Sequence, residues 1–242
     1  MQLSPYYQSK VMDMVSSFIY DTIKSKYYKK DKKYTLFYPL IGNLYGKNPI
    51  LMVVGRACNG WKYGWTCDDI DVRNIAKKVI SDANDGLECP MQWLKDRWDG
   101  TYKDDYNIHR SAFWRVSKEI LKGVSDCNDD NWESYLAWSN LLKISPFEGG
   151  NPNASEWDAQ VKECILLLKA ELEELKPKYV LMMTDISWAE AFIKDLGGNS
   201  EPINGNSIVR SLLLYGKSKI IITIRPEGVG TQQFVNEVLK YI

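Results

Sequence analysis

Four short apolar runs punctuate the chain: Ile50–Val54, Leu136–Leu142, Tyr179–Met183 and Lys219–Ile224. Each is too short for a core helix and is apolar without strict alternation, so each reads as a strand buried on both faces, as in a covered parallel sheet. The segments between them have helical spacing. One spans Tyr7 to about Lys30, with Val11, Met14, Val15, Phe18, Ile19 and Ile23 on one side and Pro5 near its start. A second runs from Asp68 to about Ala83 through Ile70, Ile75, Val79 and Ile80, and a third carries Phe113, Val116, Ile120 and Leu121. A long helix is expected from an N-cap at Ser155 to about Leu175, where Pro177 blocks continuation. Ser187–Leu196 is closed by Gly197-Gly198, and Thr231–Tyr241 ends the series. Ser207–Tyr215 reads as an extra strand or an ordered loop, and the polar, Trp-rich stretch through Asp105 carries no regular period. The alternation predicts an α/β fold: an open, mostly parallel four-stranded sheet with helices on both faces. No linker divides the 242 residues, so one domain is expected, with residues 1–49 supplying a helix and a lead-in loop.

Composition excludes several chemistries. Lys+Arg and Asp+Glu balance at 31 each, which removes a broad electrostatic grip on nucleic acid and leaves room only for a local basic groove. The five cysteines are irregularly spaced without a C-x-x-C, and there is one histidine. That argues against a disulfide framework, a zinc ribbon or a His-based metal site, so no metal and no cofactor is expected. No signal pattern opens the chain and no apolar run approaches the length that spans a bilayer, so the expected setting is cytoplasmic, with no membrane partner.

In open parallel sheets, ligands bind beyond the carboxyl ends of the strands. That rule selects Gly55–Trp61, Asn140–Pro146, Thr184–Ser187 and Arg225–Gly230 as candidate loops. The segment Ser139-Asn140-Leu141-Leu142-Lys143-Ile144-Ser145-Pro146 resembles the T-N-V-V-K-C-R-P motif of the uracil-DNA glycosylase superfamily in its small bacterial and archaeal branches. Glu163-Cys164 and the passage Glu171-Leu172-Glu173-Glu174-Leu175-Lys176-Pro177-Lys178-Tyr179-Val180 resemble the E-C and L-x-x-E-L…P-K-x-V stretch that follows in that family. Gly55 stands where the family has its catalytic glycine loop, and Arg225-Pro226-Glu227 where it has His-Pro-Ser. The resemblance covers residues 50–230 in element order and is close in sequence only over 139–180. It implies the family's fold, and a site where a base flipped from DNA is read by Asn140, stacked on an aromatic such as Trp61, and cleaved from its sugar.

The catalytic positions depart from the family. The first loop reads Gly55-Arg56-Ala57-Cys58-Asn59-Gly60-Trp61, against G-Q-D-P-Y-H, G-E-A-P-G or G-I-N-P-G, and holds no carboxylate. Asn59 is the residue left to orient a water, two positions out of register, and Arg225 replaces the histidine that stabilises the departing base. Ile144 stands where one branch has a cluster-ligating cysteine. Arg56 and Arg225 are placed either for an anion or for salt bridges that hold their loops. Asn140 is a base reader or a structural amide, Asn59-Gly60 a functional pair or a turn, and Trp61 and Trp65 stack a ligand or pack the loop. Cys58 is expected to be a small buried thiol, His109 to be structural or exposed, and Asp185 and Glu227 to be spare carboxylates for a relocated base or loop caps. The expectation is a divergent glycosylase-like protein that recognises DNA, a nucleobase or a nucleotide, with catalysis lost or rearranged. The alternative is an active glycosylase. The candidate set is Asn59 and Arg225 for catalysis and Gly55, Arg56, Trp61, Asn140 and Glu227 for binding; oligomeric state is left open.

Overall fold

The structure is a computed structural model and describes residues 2–69, 71–84, 89–102, 104–197, 200–203, 205 and 207–242. The chain begins with helix α1 (Pro5–Lys24), strands β1 (Tyr34–Leu36), β2 (Leu40–Ile41) and β3 (Leu51–Gly55), then helices α2 (Val72–Asn84), α3 (Gln92–Trp98) and α4 (Ala112–Val124). Strands β4 (Leu136–Asn140) and β5 (Ile144–Pro146) lead to α5 (Ala154–Asp158) and α6 (Val161–Leu175). The remainder is β6 (Tyr179–Met183), α7 (Ile186–Asp195), β7 (Glu201–Pro202), β8 (Val209–Tyr215), β9 (Ser218–Thr223) and α8 (Thr231–Leu239).

The four apolar runs form the parallel core of the sheet, in the order β4-β3-β6-β9. The expected four-stranded sheet is, however, a seven-stranded mixed one, because β2 pairs antiparallel outside β4 while β8 and β7 continue antiparallel beyond β9. Within Ser207–Tyr215, Val209–Tyr215 thus resolves as a strand between β9 and β7, with Val209, Ser211 and Leu213 buried and Arg210 and Leu214 exposed. A separate ribbon pairs β1 with β5. α4 packs on α8, while α6 packs on both α1 and α7. α4 belongs to the connection from β3 out to β4, and α6 to the connection from β4 back to β6. The central strands are buried along nearly their whole length, and each Val, Leu or Ile side chain so buried contributes about 1.5–3 kcal/mol.

Several boundaries moved for local reasons. α1 stops at Lys24 rather than Lys30, where the Ser25 N–H bonds Thr22 O. The helix expected from Ser155 is two helices, and its N-cap is Asn153. Asn153 closes a capping box with Glu156, and Gln160 marks the break, its side-chain amide bridging the backbone of Lys143 and Ile144. The strand expected to run to Leu142 ends at Asn140, because the Leu141 and Leu142 N–H groups turn back to the carbonyls of Gly55 and Arg56. α2 starts at Val72, and the Trp-rich stretch contains the unforeseen α3. The expected roles of Ile70 and Gly198 fall outside the described residues.

Candidate functional site

The parallel register brings Gly55 beside Asn140 and Met183 beside Thr223, so the carboxyl ends of the four strands lie level. The chain reverses its direction of travel across the sheet between β3 and β6, which is where such sheets open a crevice. A cleft of about 1090 Å³ occupies this end. Gly55, Arg56, Asn59, Trp61, Asn140, Arg225 and Glu227, the whole candidate set, line it. Of the four candidate loops, Thr184–Ser187 contributes nothing to the lining. Asp185 instead caps α7, its Oδ1 accepting from Ile186 N at 2.7 Å.

Asn140 is a buried polar group of the cleft, only 2% exposed, and its Nδ2 has no hydrogen-bond partner among the described residues. Its Oδ1 lies over Gly55 so closely that a Cβ at position 55 would collide with it. Glycine is therefore required there for close approach rather than for its dihedral freedom. A buried amide donor without an acceptor costs about 1–3 kcal/mol, which a ligand carbonyl would recover.

Strand alternation gives β4 two jobs. Trp138 and Asn140 face the cleft, while Ser139 points to the opposite side, into a closed polar network. There Lys143, with no solvent exposure, donates from Nζ to Glu171 Oε1 (2.7 Å), Ser139 Oγ (2.7 Å) and the Asn140 carbonyl (2.6 Å). Glu171 also accepts from Tyr7 Oη at 2.5 Å and from Ser139 Oγ at 2.6 Å. Burial, then the Glu171 charge, hold the Tyr7 hydroxyl well above its ordinary pKa. The network fixes the backbone from which the Asn140 amide projects.

The walls are aromatic. Trp61, Trp93, Trp114 and Trp138 pack edge-to-face or tilted, with Trp61–Trp138 centroids 5.2 Å apart and Trp114–Trp138 4.9 Å apart. Trp93 and Trp138 also carry buried indole N–H groups without partners among the described residues. Trp65, by contrast, packs with Tyr34 and Phe18 in the core. The sequence reading missed Trp93, Phe113, Trp114 and Trp138 as lining groups. The high tryptophan content was the available signal, but only the folding of α3 and α4 over the strand ends shows its use.

Arg56 Nε donates to Thr184 O at 2.7 Å, and its guanidinium lies 5.0 Å from the Trp188 ring centroid. Partial burial and then the charge of Arg225 lower its pKa. Arg225 bonds Glu227 Oε1 at 2.7 Å, both groups about half exposed. The Asn59 Oδ1 accepts from Gly150 N at 2.6 Å, so this amide ties two loops together at the mouth. Cys58 is buried with Sγ 2.9 Å from Ser145 Oγ, and burial pushes its pKa up to about 11, which fits an inert thiol. His109 is exposed, its ring tilted against Trp98 and bonded to Trp98 O. Among the described residues no cluster of three His, Cys, Asp or Glu side chains is placed to hold a metal ion, and no helix is long and apolar enough to cross a membrane.

No protein-family model matches the chain, and no curated protein matches it in sequence. The cleft's geometry therefore carries the functional reading.

Proposed function

We propose that the cleft recognises a nucleobase, in the manner of a divergent uracil-DNA glycosylase-like protein whose hydrolytic residues are replaced. The observation that carries this reading is the buried, unpartnered Asn140 amide pressed against Gly55 under tryptophan walls. A carboxamide offers one donor and one acceptor side by side, matching a base edge that presents an acceptor next to an N–H, as uracil does. Rings supply the stacking surface, worth about 1–3 kcal/mol per base. The parallel order β4-β3-β6-β9 is compatible with the fold that the resemblance implies. The loss of hydrolysis rests on the loop after β3, which has no carboxylate, and on Asn59, whose oxygen is taken by Gly150.

A second reading, an active glycosylase, is favoured by one feature. The Arg225–Glu227 pair places a cation and a carboxylate in the same cleft, able to stabilise a departing base and to orient a water. Incubation with a uracil-containing oligonucleotide, single-stranded and duplex, followed by alkali, separates the two. Binding without abasic sites is the expected result. Cleavage that disappears in Arg225→Ala and Glu227→Gln establishes the second reading, and absence of both binding and cleavage removes both.

A further inference from the structure

Four arginines line the same cleft as Asn140, of which Arg56, Arg110 and Arg225 keep free guanidinium edges. Their engagement is incomplete. Arg56 uses only Nε within the protein, leaving both terminal nitrogens without partners among the described residues. Arg110 is exposed and its side chain has no partner among them. Arg225 uses one terminal nitrogen, toward Glu227. Burial and then the nearby Arg225 charge disfavour the charge of Arg56, and the carboxylates beside Arg56 are Asp185 and Glu227. Asp185 is committed to capping α7. The cleft's other carboxylates are engaged elsewhere: Asp82 accepts from Tyr63 Oη at 2.6 Å and pairs with Lys62, and Asp96 accepts from Gln92 Nε2. Arg97 is bound by Asp104. The free guanidinium edges of Arg56 and Arg225 thus lie in the same cleft, with Glu227 paired to Arg225 as the neighbouring lining carboxylate.

Arg56 is also held ready. One nitrogen is fixed on the Thr184 carbonyl and the planar group lies against Trp188, so little rotamer freedom remains to be lost on binding. It is the residue next to Gly55, and the Leu141 and Leu142 N–H groups bind the Gly55 and Arg56 carbonyls, so it moves as one piece with the Asn140 loop.

We propose that Arg56 and Arg225, with Arg110 at the mouth, form a phosphate subsite, so that one ligand sets its base against Asn140 and its phosphate against these arginines. The inference rests on the base-recognition reading and adds the ligand class, a phosphorylated nucleoside rather than a free base. The phosphate comes from a mononucleotide or from a strand; both offer the oxygens that paired guanidinium edges bind.

The test is calorimetric titration of the full chain, at low salt, with uridine, uridine 5′-monophosphate, adenosine, adenosine 5′-monophosphate and inorganic phosphate. Each monophosphate is expected to bind about tenfold or more tightly than its nucleoside. That gain is expected to vanish in Arg56→Gln and in Arg225→Gln, with melting temperature recorded to verify folding, and to shrink as salt rises. In Asn140→Ala, nucleoside and monophosphate are expected to weaken by the same factor, leaving the phosphate gain intact. If nucleosides do not bind but monophosphates and inorganic phosphate bind equally, the phosphate subsite stands and base recognition falls. Equal affinity for nucleoside and monophosphate, or a gain that survives both arginine substitutions, overturns the proposal. A uracil-containing single strand that displaces uridine 5′-monophosphate at lower concentration assigns the phosphate to a strand, and weaker displacement assigns it to the free nucleotide.

Discussion

At the scale of single residues, Asn140 shows how a sequence signal and a structural one combine. Its position after an apolar run and within a recognisable motif singles it out, but the two roles left open for it, base reader or structural amide, differ only in what its side chain touches. The amide Nδ2 has no partner among the described residues, which is not how a loop-bracing amide is arranged. Asn59 shows the reverse. An Asn-Gly pair after a strand fits a water-orienting role equally well on paper, and only the contact with Gly150, distant in sequence, reveals a clamp. Cys58 makes a prediction of its own. With its pKa pushed up to about 11, roughly one thiol in a thousand is ionised at pH 8. A thiol reagent at that pH is expected to label half-buried Cys89 first and to reach Cys58 only on unfolding or above about pH 10. Rapid modification of Cys58 in the folded protein, mapped by mass spectrometry, would contradict the burial that defines this loop.

At the scale of elements, the loop after β4 is held from behind. Lys143 follows Asn140 by three residues, and the sequence marks it only as part of a motif. Its partners Glu171 on α6 and Tyr7 on α1 are brought to it by packing between helices far apart in the chain. Replacing Lys143 with Met leaves the Glu171 carboxylate buried without a cation and is expected to cost about 3–5 kcal/mol in urea unfolding. Adding Glu171→Leu to the same variant is expected to recover about half or more of that loss, because an uncharged pair of similar size removes the stranded charge. Recovery is incomplete, since Tyr7 and Ser139 lose their acceptor. A single variant within about 1 kcal/mol of the parent would show that the network is not what fixes this segment.

At the scale of the whole molecule, the legible part is the part with long regular signals. Continuous apolar runs gave the parallel core, and helical spacing gave most of the flanking helices. The edge strands were not legible because β2 and β7 are two residues long and β1 and β5 three, too short to show a period. β8 alternates as a strand with one exposed face does, but with Ser211 among its buried positions the pattern is weak. The cleft was legible in outline, since strand carboxyl ends select loops without any further knowledge, while its aromatic wall was not, because α3 and α4 approach from a stretch without a clear period. Equal totals of acidic and basic residues likewise hide the four arginines that line that cleft.

The central claim is that Asn140 is present for a ligand. The most direct measurement compares wild type and Asn140→Ala for affinity toward a uracil-containing single strand, by tryptophan fluorescence, alongside thermal melting of both. Removing a buried amide whose donor has no partner among the described residues is expected to leave melting temperature unchanged or raised, while affinity falls by about 1–3 kcal/mol, a factor of roughly 5 to 150. Equal affinity in the two proteins, with a clear loss of stability in the variant, would make Asn140 a structural amide and contradict the account.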